Sequence, residues 1–144
     1  MNKELLISSS SNNINFALLK DGKLIEYHKD NDNTKFLVGD IYLAKIRKSL
    51  PALNAAFVNV GYKKDAFLHY HDLGPKLTTL QKFLKGVSTG KIQDFSLANY
   101  KFESEIDKDG AIGDLLSPNQ SILIQIVKEP ISTKGPRISS ELSF

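Results

Sequence analysis

Short strand-like runs separated by turn residues fill most of this chain, and they limit it to a mainly β fold. The clearest turn is Asp21-Gly22, which lies between two apolar runs at residues 15–20 and 23–28. An Asp-Gly pair in this setting is a strong hairpin signal, because glycine accepts the positive φ of a tight two-residue turn. Another apolar run at residues 3–8 precedes the hairpin, so the N-terminal part is predicted to be a β-hairpin or meander.

Further strand patterns follow at residues 39–50, 55–60, 65–70, 121–128 and 138–144. Between them, an inserted segment at residues 72–118 contains apolar residues at helical spacing, which predict a short amphipathic helix over residues 76–85. The rest of this segment is weakly patterned. Several short strands with turn-rich joints and one inserted helix predict a small closed β-barrel, and a β-sandwich is the competing architecture on pattern alone.

The composition is that of an ordinary soluble domain, with 41% hydrophobic and 24% charged residues among 144. The absence of cysteine excludes disulfides and thiolate metal sites. No apolar run approaches the roughly 20 residues of a membrane helix, and the first seven residues do not resemble a secretory signal. We therefore expect a cytoplasmic protein without membrane contact. The net charge of +3 is compatible with a polyanionic partner without requiring one.

The two central strand patterns, residues 55–60 and 65–70, each place one phenylalanine on the more polar face. Side chains alternate along a strand, so Phe57 shares a face with Asn59, and Phe67 shares one with Asp65 and His69. Two phenylalanines and a histidine on a polar face are typical of a platform on which unpaired bases stack. Alternation alone leaves a second interpretation open, in which the rings cover a secondary core beneath the inserted segment.

Basic residues flank these strands and could follow the phosphates of a nucleic acid. One group lies in the preceding strand and the other surrounds the turn after the last full strand: Lys45, Arg47, Lys48, Lys128, Lys134 and Arg137. A solvated surface would explain each lysine taken singly. The turn at residues 132–135 lacks the glycine spacing of a phosphate-binding P-loop, which argues against nucleotide hydrolysis.

Catalytic or metal-binding patterns are weak. A zinc site would require His28, His69 and His71 to converge with carboxylates, and residue types alone do not establish that. Four alternating acids at residues 103, 105, 107 and 109 could bind magnesium, but a solvated acidic loop explains them better. No nucleophile with a neighbouring base stands out. We therefore predict neither catalytic nor metal-binding residues in this chain.

Several blocks of the sequence resemble the beginning of bacterial ribonuclease E/G. They are residues 41–46, 51–61 and 66–69, followed by residues 127–130 and 133–140, in the family's order and spacing. The Ala-Ala-Phe-Val run at residues 55–58 is the most specific of these. The chain departs from the family pattern at Ala44, where glycine is usual, and at Ser139-Ser140, which replace a threonine pair.

The resemblance implies that residues 36–130 form an S1-type OB-fold, a five-stranded barrel that binds single-stranded RNA. In that family the positions matching Phe57 and Phe67 contact bases, and those matching Lys128 and Lys134 line the RNA path. His69 occupies a place where related S1 domains have RNA-facing histidines. The resemblance thus favours the stacking interpretation, and the expected RNA-binding residues are Phe57, Phe67, His69, Lys45, Lys128, Lys134 and Arg137.

For the remaining parts, the resemblance implies that residues 1–35 are strands of an incomplete ribonuclease-H-like subdomain and that residues 131–144 begin the next subdomain. It places the magnesium-binding aspartates and the zinc-binding cysteines of the family beyond Phe144. We therefore expect no cofactor and no hydrolysis for this chain alone, and a magnesium-dependent endoribonuclease as its parent. A homo-oligomer through the S1 domain or the N-terminal strands is the alternative use of these surfaces.

Overall fold

The computed structural model describes residues 1–11, 13–31 and 35–144, with the backbone only for residues 30 and 31. The chain divides into two compact units, Met1–Lys35 and Phe36–Phe144. Residues 32–34, near the end of the expected N-terminal segment 1–35, lie outside the described residues.

The N-terminal unit is a three-stranded antiparallel sheet in the order β1-β2-β3. The strands are β1 (Lys3–Ser9), β2 (Asn13–Lys20) and β3 (Lys23–Asn31). Asp21 and Gly22 connect β2 to β3 with φ values of 50° and 75°, so the predicted hairpin is confirmed. Large apolar side chains of β1 and β3 remain exposed, and backbone hydrogen bonds therefore contribute much of the order in this sheet.

The second unit contains a closed five-stranded barrel in the order β4-β5-β6-β8-β7. Its strands are β4 (Ile41–Leu50), β5 (Ala55–Asn59), β6 (Ala66–His69), β7 (Ser121–Lys128) and β8 (Arg137–Ser139). All pairings are antiparallel except β6 with β8, which is parallel. This is the OB-type mixed barrel expected from the sequence. A bulge in β4 between Ile46 and Lys48 bends that strand, which pairs with both β5 and β7.

The barrel interior is filled by alternate residues of its strands. Along β7, three isoleucines point inward and are almost fully buried, whereas Leu123 between them is only half-buried. The same alternation holds in β5 and β6, as their sequence pattern predicted. The buried side chains of the strands are small or β-branched with one leucine, as a narrow barrel requires: Ala44, Ile46, Val58, Ala66, Leu68, Ile122, Ile124, Ile126 and Ile138.

The segment between β6 and β7 contains the helices α1 (Leu77–Ser88) and α2 (Ile112–Leu115). Helix α1 is longer than the predicted 76–85, because Gly86 does not end it. The side chain of Ile92 occupies the space that a β-carbon at position 86 would need, so glycine here allows close packing within the segment. Tyr100 packs edge-on against Phe83, with ring centroids 5.2 Å apart, and so holds the irregular part against α1.

Residues 131–144 contain β8, which pairs with both β6 and β7 and closes the barrel. Ser140 strengthens the closure: its backbone N–H donates to the Asp72 carbonyl oxygen, and its hydroxyl accepts from the Gly74 N–H. The final segment is therefore part of the second unit.

Asn54, between β4 and β5, ties the barrel to the inserted segment. Its side-chain amide donates to the Gly110 carbonyl oxygen at 2.9 Å, and its amide oxygen accepts from the Ile112 N–H at 2.8 Å. Its φ of 47° lies in the left-handed region that asparagine tolerates better than most residues. One side chain thus positions the start of α2.

Replacing Asn54 by alanine is expected to lower the free energy of unfolding by about 1–3 kcal/mol, because two part-buried backbone groups lose their partners. Urea denaturation followed by circular dichroism measures this loss. Asn54→Gly keeps the left-handed backbone at no steric cost but also removes both hydrogen bonds. A glycine variant as stable as the wild type would show that these bonds contribute nothing.

Gly135→Ala is expected to destabilise the protein by about 1–3 kcal/mol, as other overpacked sites do. A β-carbon at this position would overlap the carbonyl oxygen of Asp65 at the start of β6. Gly113→Ala is the matched control, since nothing lies within 4 Å of a β-carbon there. Equal melting temperatures for the two variants would contradict the close approach of the 129–136 loop to β6.

Candidate nucleic-acid interface

Phe57 of β5 and Phe67 of β6 lie side by side on the outer face of the barrel. They are direct cross-strand partners, and their ring centroids are 6.2 Å apart at an interplanar angle of 71°. Phe67 is 40% exposed, whereas Phe57 is half-buried. The edge-to-face arrangement therefore leaves aromatic surface available to a flat apolar partner, and it holds the two rings in a fixed relation.

This aromatic pair forms part of a groove of about 700 Å³. One wall comes from β5 and β6, and the other comes from the loop between β7 and β8. The lining combines the two rings with residues of both charges and with backbone of the loop: Phe57, Lys64, Asp65, Phe67, His69, Asp72, Lys128, Glu129, Ile131, Thr133, Lys134, Gly135, Pro136 and Arg137.

The loop at residues 129–136 is packed against the barrel at the end that leads into β8. Near its end, Gly135 approaches the backbone of Asp65 closely, and the side chain of Pro136 is fully buried. At its tip, the Lys134 N–H donates to the Ile131 carbonyl oxygen at 2.8 Å, which closes a tight turn. The Lys134 side chain therefore projects from an ordered turn whose backbone position is set by packing.

Two arginines beside the groove contact its carboxylates. The Nε of Arg47 lies 2.8 Å from an Asp65 oxygen, and an Nη of Arg137 lies 3.7 Å from Asp72. Among the described residues, Lys64, Lys128 and Lys134 have no carboxylate oxygen within 4.0 Å. These three ammonium groups are thus available to an anion, at a surface where aromatic rings are also exposed.

The structure brings together six of the seven predicted RNA-binding residues in the groove: Phe57, Phe67, His69, Lys128, Lys134 and Arg137. Lys45 does not line it. The bulge in β4 shifts the register by one residue, so that Lys48, two positions beyond Ile46, is the direct partner of Phe57. The alternating pattern of β4 could not indicate this shift, because a bulge depends on how the strand bends around the barrel.

Other lining residues were missed by the sequence reasoning. Lys64, Asp72 and Glu129 line the groove, and none of them was among the predicted RNA-binding residues. Asp65 and Lys64 come just before Phe67 in the chain, and this proximity to a predicted stacking residue is the signal that could have identified them. No local signal points to Asp72, which reaches the groove through the short 3₁₀ turn after β6.

His69 and His71 lie together at the end of β6, although β6 itself stops at His69. Their ring centroids are 4.7 Å apart, and Nδ1 of His69 accepts from the His71 backbone N–H at 3.1 Å. That bond fixes the orientation of the His69 ring at the groove. His28 lies on β3, where its Nε2 is 2.7 Å from Glu26.

Among the acidic residues of the inserted segment, Glu103 is engaged in an ion pair. Glu103 lies 2.7 Å from the Lys82 ammonium group, whose hydrogen bond and charge lower the pKa of the Glu103 carboxyl. Within the described part of the chain, no group of three or more histidine, aspartate or glutamate side chains is arranged to hold a metal ion. Nor does any described helix have the length and apolar character needed to cross a membrane.

Known proteins similar to this chain are ribonucleases. Ribonuclease G of Haemophilus influenzae is 31% identical over 141 residues, covering 98% of this chain and 25% of that protein. Ribonuclease G of Escherichia coli K12 is 28% identical over 144 residues, covering all of this chain and 26% of that protein. Ribonuclease E of Synechocystis is 36% identical over 108 residues, covering 74% of this chain and 12% of that protein.

No family model matches the chain. The chain spans about a quarter of the length of the ribonuclease G proteins that it matches. The similarity nevertheless covers nearly the whole of this chain, including the strands that carry Phe57 and Phe67 and the loop that carries Lys134. The chain therefore belongs to the ribonuclease E/G family and corresponds to an N-terminal segment of it.

Proposed function

We propose that the second unit is an S1-type domain that binds single-stranded RNA in the groove beside Phe57 and Phe67. The observation that carries this proposal is the cross-strand pair of rings, one of them 40% exposed, in a groove with three lysines free of carboxylate contacts. A base stacked on an aromatic side chain contributes about 1–3 kcal/mol in comparable sites. Every base has a flat face, so such a platform accepts many sequences.

The cations of the groove supply the second part of the binding energy. Lys64, Lys128 and Lys134 can each neutralise a phosphate and release a counterion, which makes the affinity dependent on salt. Duplex RNA keeps its bases stacked on one another, so it cannot use the aromatic pair without local unpairing. The combination of rings and unpaired lysines therefore favours a single strand.

We further propose that this binding serves a larger ribonuclease that processes RNA. The relatives are named ribonucleases, and the ribonuclease G proteins among them are about four times as long as this chain. We assign the hydrolysis itself, and the magnesium that it would use, to parts of that larger enzyme outside this segment, with the groove holding substrate for it in the cytoplasm.

The alternative function, an oligomerisation module with the barrel face covered, is supported less well. That function calls for an apolar face with few charges at its centre. Here the rings are surrounded by charged side chains of the groove. Asp65 and Asp72 are paired with arginines, and among the described residues the three groove lysines have no carboxylate oxygen within 4.0 Å.

Phe67→Ala is expected to weaken binding of a short single-stranded RNA by about 1–3 kcal/mol, roughly 5- to 150-fold, because one stacking surface is lost. Fluorescence anisotropy with a labelled oligonucleotide measures the affinity. Phe95→Ala is the matched control, since Phe95 is exposed but lies outside the groove. Phe67→Leu keeps an apolar side chain without an aromatic face, and wild-type affinity in that variant would refute stacking.

Lys128→Gln combined with Lys134→Gln is expected to lower the slope of log affinity against log salt by about 1.4, at about 0.7 for each lost phosphate contact. Titrations at four salt concentrations give the slope. Lys91→Gln combined with Lys101→Gln removes the same charge from exposed positions outside the groove. If both pairs change the slope equally, net charge rather than the groove attracts the RNA.

A further inference from the structure

The N-terminal sheet places three lysines in one row across its end. Lys3 is the direct partner of Lys20, and Lys20 is the direct partner of Lys23. Direct partners in an antiparallel sheet point to the same face, so the three side chains lie on one face at neighbouring strands. Strands are about 4.8 Å apart, and the row therefore spans about 10 Å.

This row runs against the usual pairing preference of a sheet. Like charges directly opposite one another destabilise a strand pair, and here two successive pairs are of that kind. Among the described residues, none of the three lysines has a carboxylate oxygen within 4.0 Å. The two acids adjacent in sequence have other partners: Asp21 accepts the Asn2 backbone N–H at 2.9 Å, and Glu4 accepts from the Asn2 side-chain amide at 3.3 Å. The repulsion within the row is thus not compensated inside the sheet.

Like charges at directly paired strand positions, with no opposite charge nearby to offset their repulsion, are typical of a binding surface. We propose that this lysine row, Lys3, Lys20 and Lys23, is a second site that binds the phosphates of single-stranded RNA, separate from the groove at Phe57 and Phe67. The choice of RNA as the polyanion rests on the proposed function. Each ammonium is carried on a flexible four-carbon stem and can follow a separate phosphate.

The neighbouring positions favour RNA over an anionic membrane. The next rank on the same face contains Leu5, Leu18 and Glu26, and the Glu26 carboxylate is paired with His28. A membrane lying on this face would bring Glu26 against anionic headgroups, whereas an RNA strand can contact the row alone. The row contains positive charges but no aromatic ring. It would therefore contact phosphates and not bases, and it would add affinity for RNA without a preference for its sequence.

The test compares the whole chain with a variant carrying Lys3→Gln, Lys20→Gln and Lys23→Gln, using a labelled single-stranded RNA of about 30 nucleotides, longer than one OB-fold occupies. The slope of log affinity against log salt is expected to fall by about 2, with about 100-fold weaker binding near 0.1 M salt. A charge-matched control carries Lys91→Gln, Lys101→Gln and Lys108→Gln, all exposed positions of the second unit. Equal slopes in the two triple variants would overturn the proposal.

The same titration with Phe67→Ala, alone and combined with the triple change in the row, separates the two sites. If Phe67→Ala has no effect while the row variant loses affinity, the groove proposal fails and the row stands. If the reverse is found, only the row fails.

A separate experiment measures binding to vesicles that contain phosphatidylserine. If the triple lysine variant loses vesicle binding while its RNA binding is unchanged, the row binds a membrane and the proposal is overturned. Glutamine relieves the repulsion within the row, so the variants are expected to fold.

Discussion

The packing of the barrel interior sets the position of everything else in the second unit. Three isoleucines of β7 fill it together with Val58 and Leu68, all of which are almost fully buried. A slip of one residue in β5 or β6 would turn a phenylalanine into this narrow space and expose the valine or leucine. The outward position of the aromatic pair is therefore a consequence of interior packing. The two rings of the groove are held in position because interior packing fixes the register of β5 and β6, the strands that carry them.

Barrel closure by β8 has a second consequence for the site. The strand brings Arg137 beside Phe67, its direct partner, and it draws the preceding loop against the start of β6. The cations of that loop are separated from the aromatic pair by more than 60 residues of sequence, yet they share one groove with it. Stacking and phosphate contact thus come from different segments, and they respond differently to salt. The N-terminal sheet, by contrast, presents its charges in a row fixed only by local strand pairing.

Where sequence reasoning failed, a tertiary contact was responsible. Regular pairing of β4 with β5 would place Arg47 opposite Phe57, and the bulge in β4 places Lys48 there instead. Gly86 would normally weaken a helix, but its close packing against Ile92 keeps it within α1. The role of Asp72 in the groove depends on a turn that is held by hydrogen bonds to Ser139 and Ser140. Of these partners, only Ser139 and Ser140 are distant in sequence, more than 60 residues from Asp72.

Alternation along a strand and the chemistry of turns are local properties, and for that reason the sequence by itself determined the β class, the Asp21-Gly22 hairpin and the shared face of Phe57 and Phe67. The family also follows from sequence, since the similarity covers nearly the whole chain. Only the tertiary structure decided whether the rings are open or covered, which lysines stand beside them, and where residues 131–144 belong. Those outcomes depend on packing between distant segments, and such packing leaves no periodic signal in any one of them.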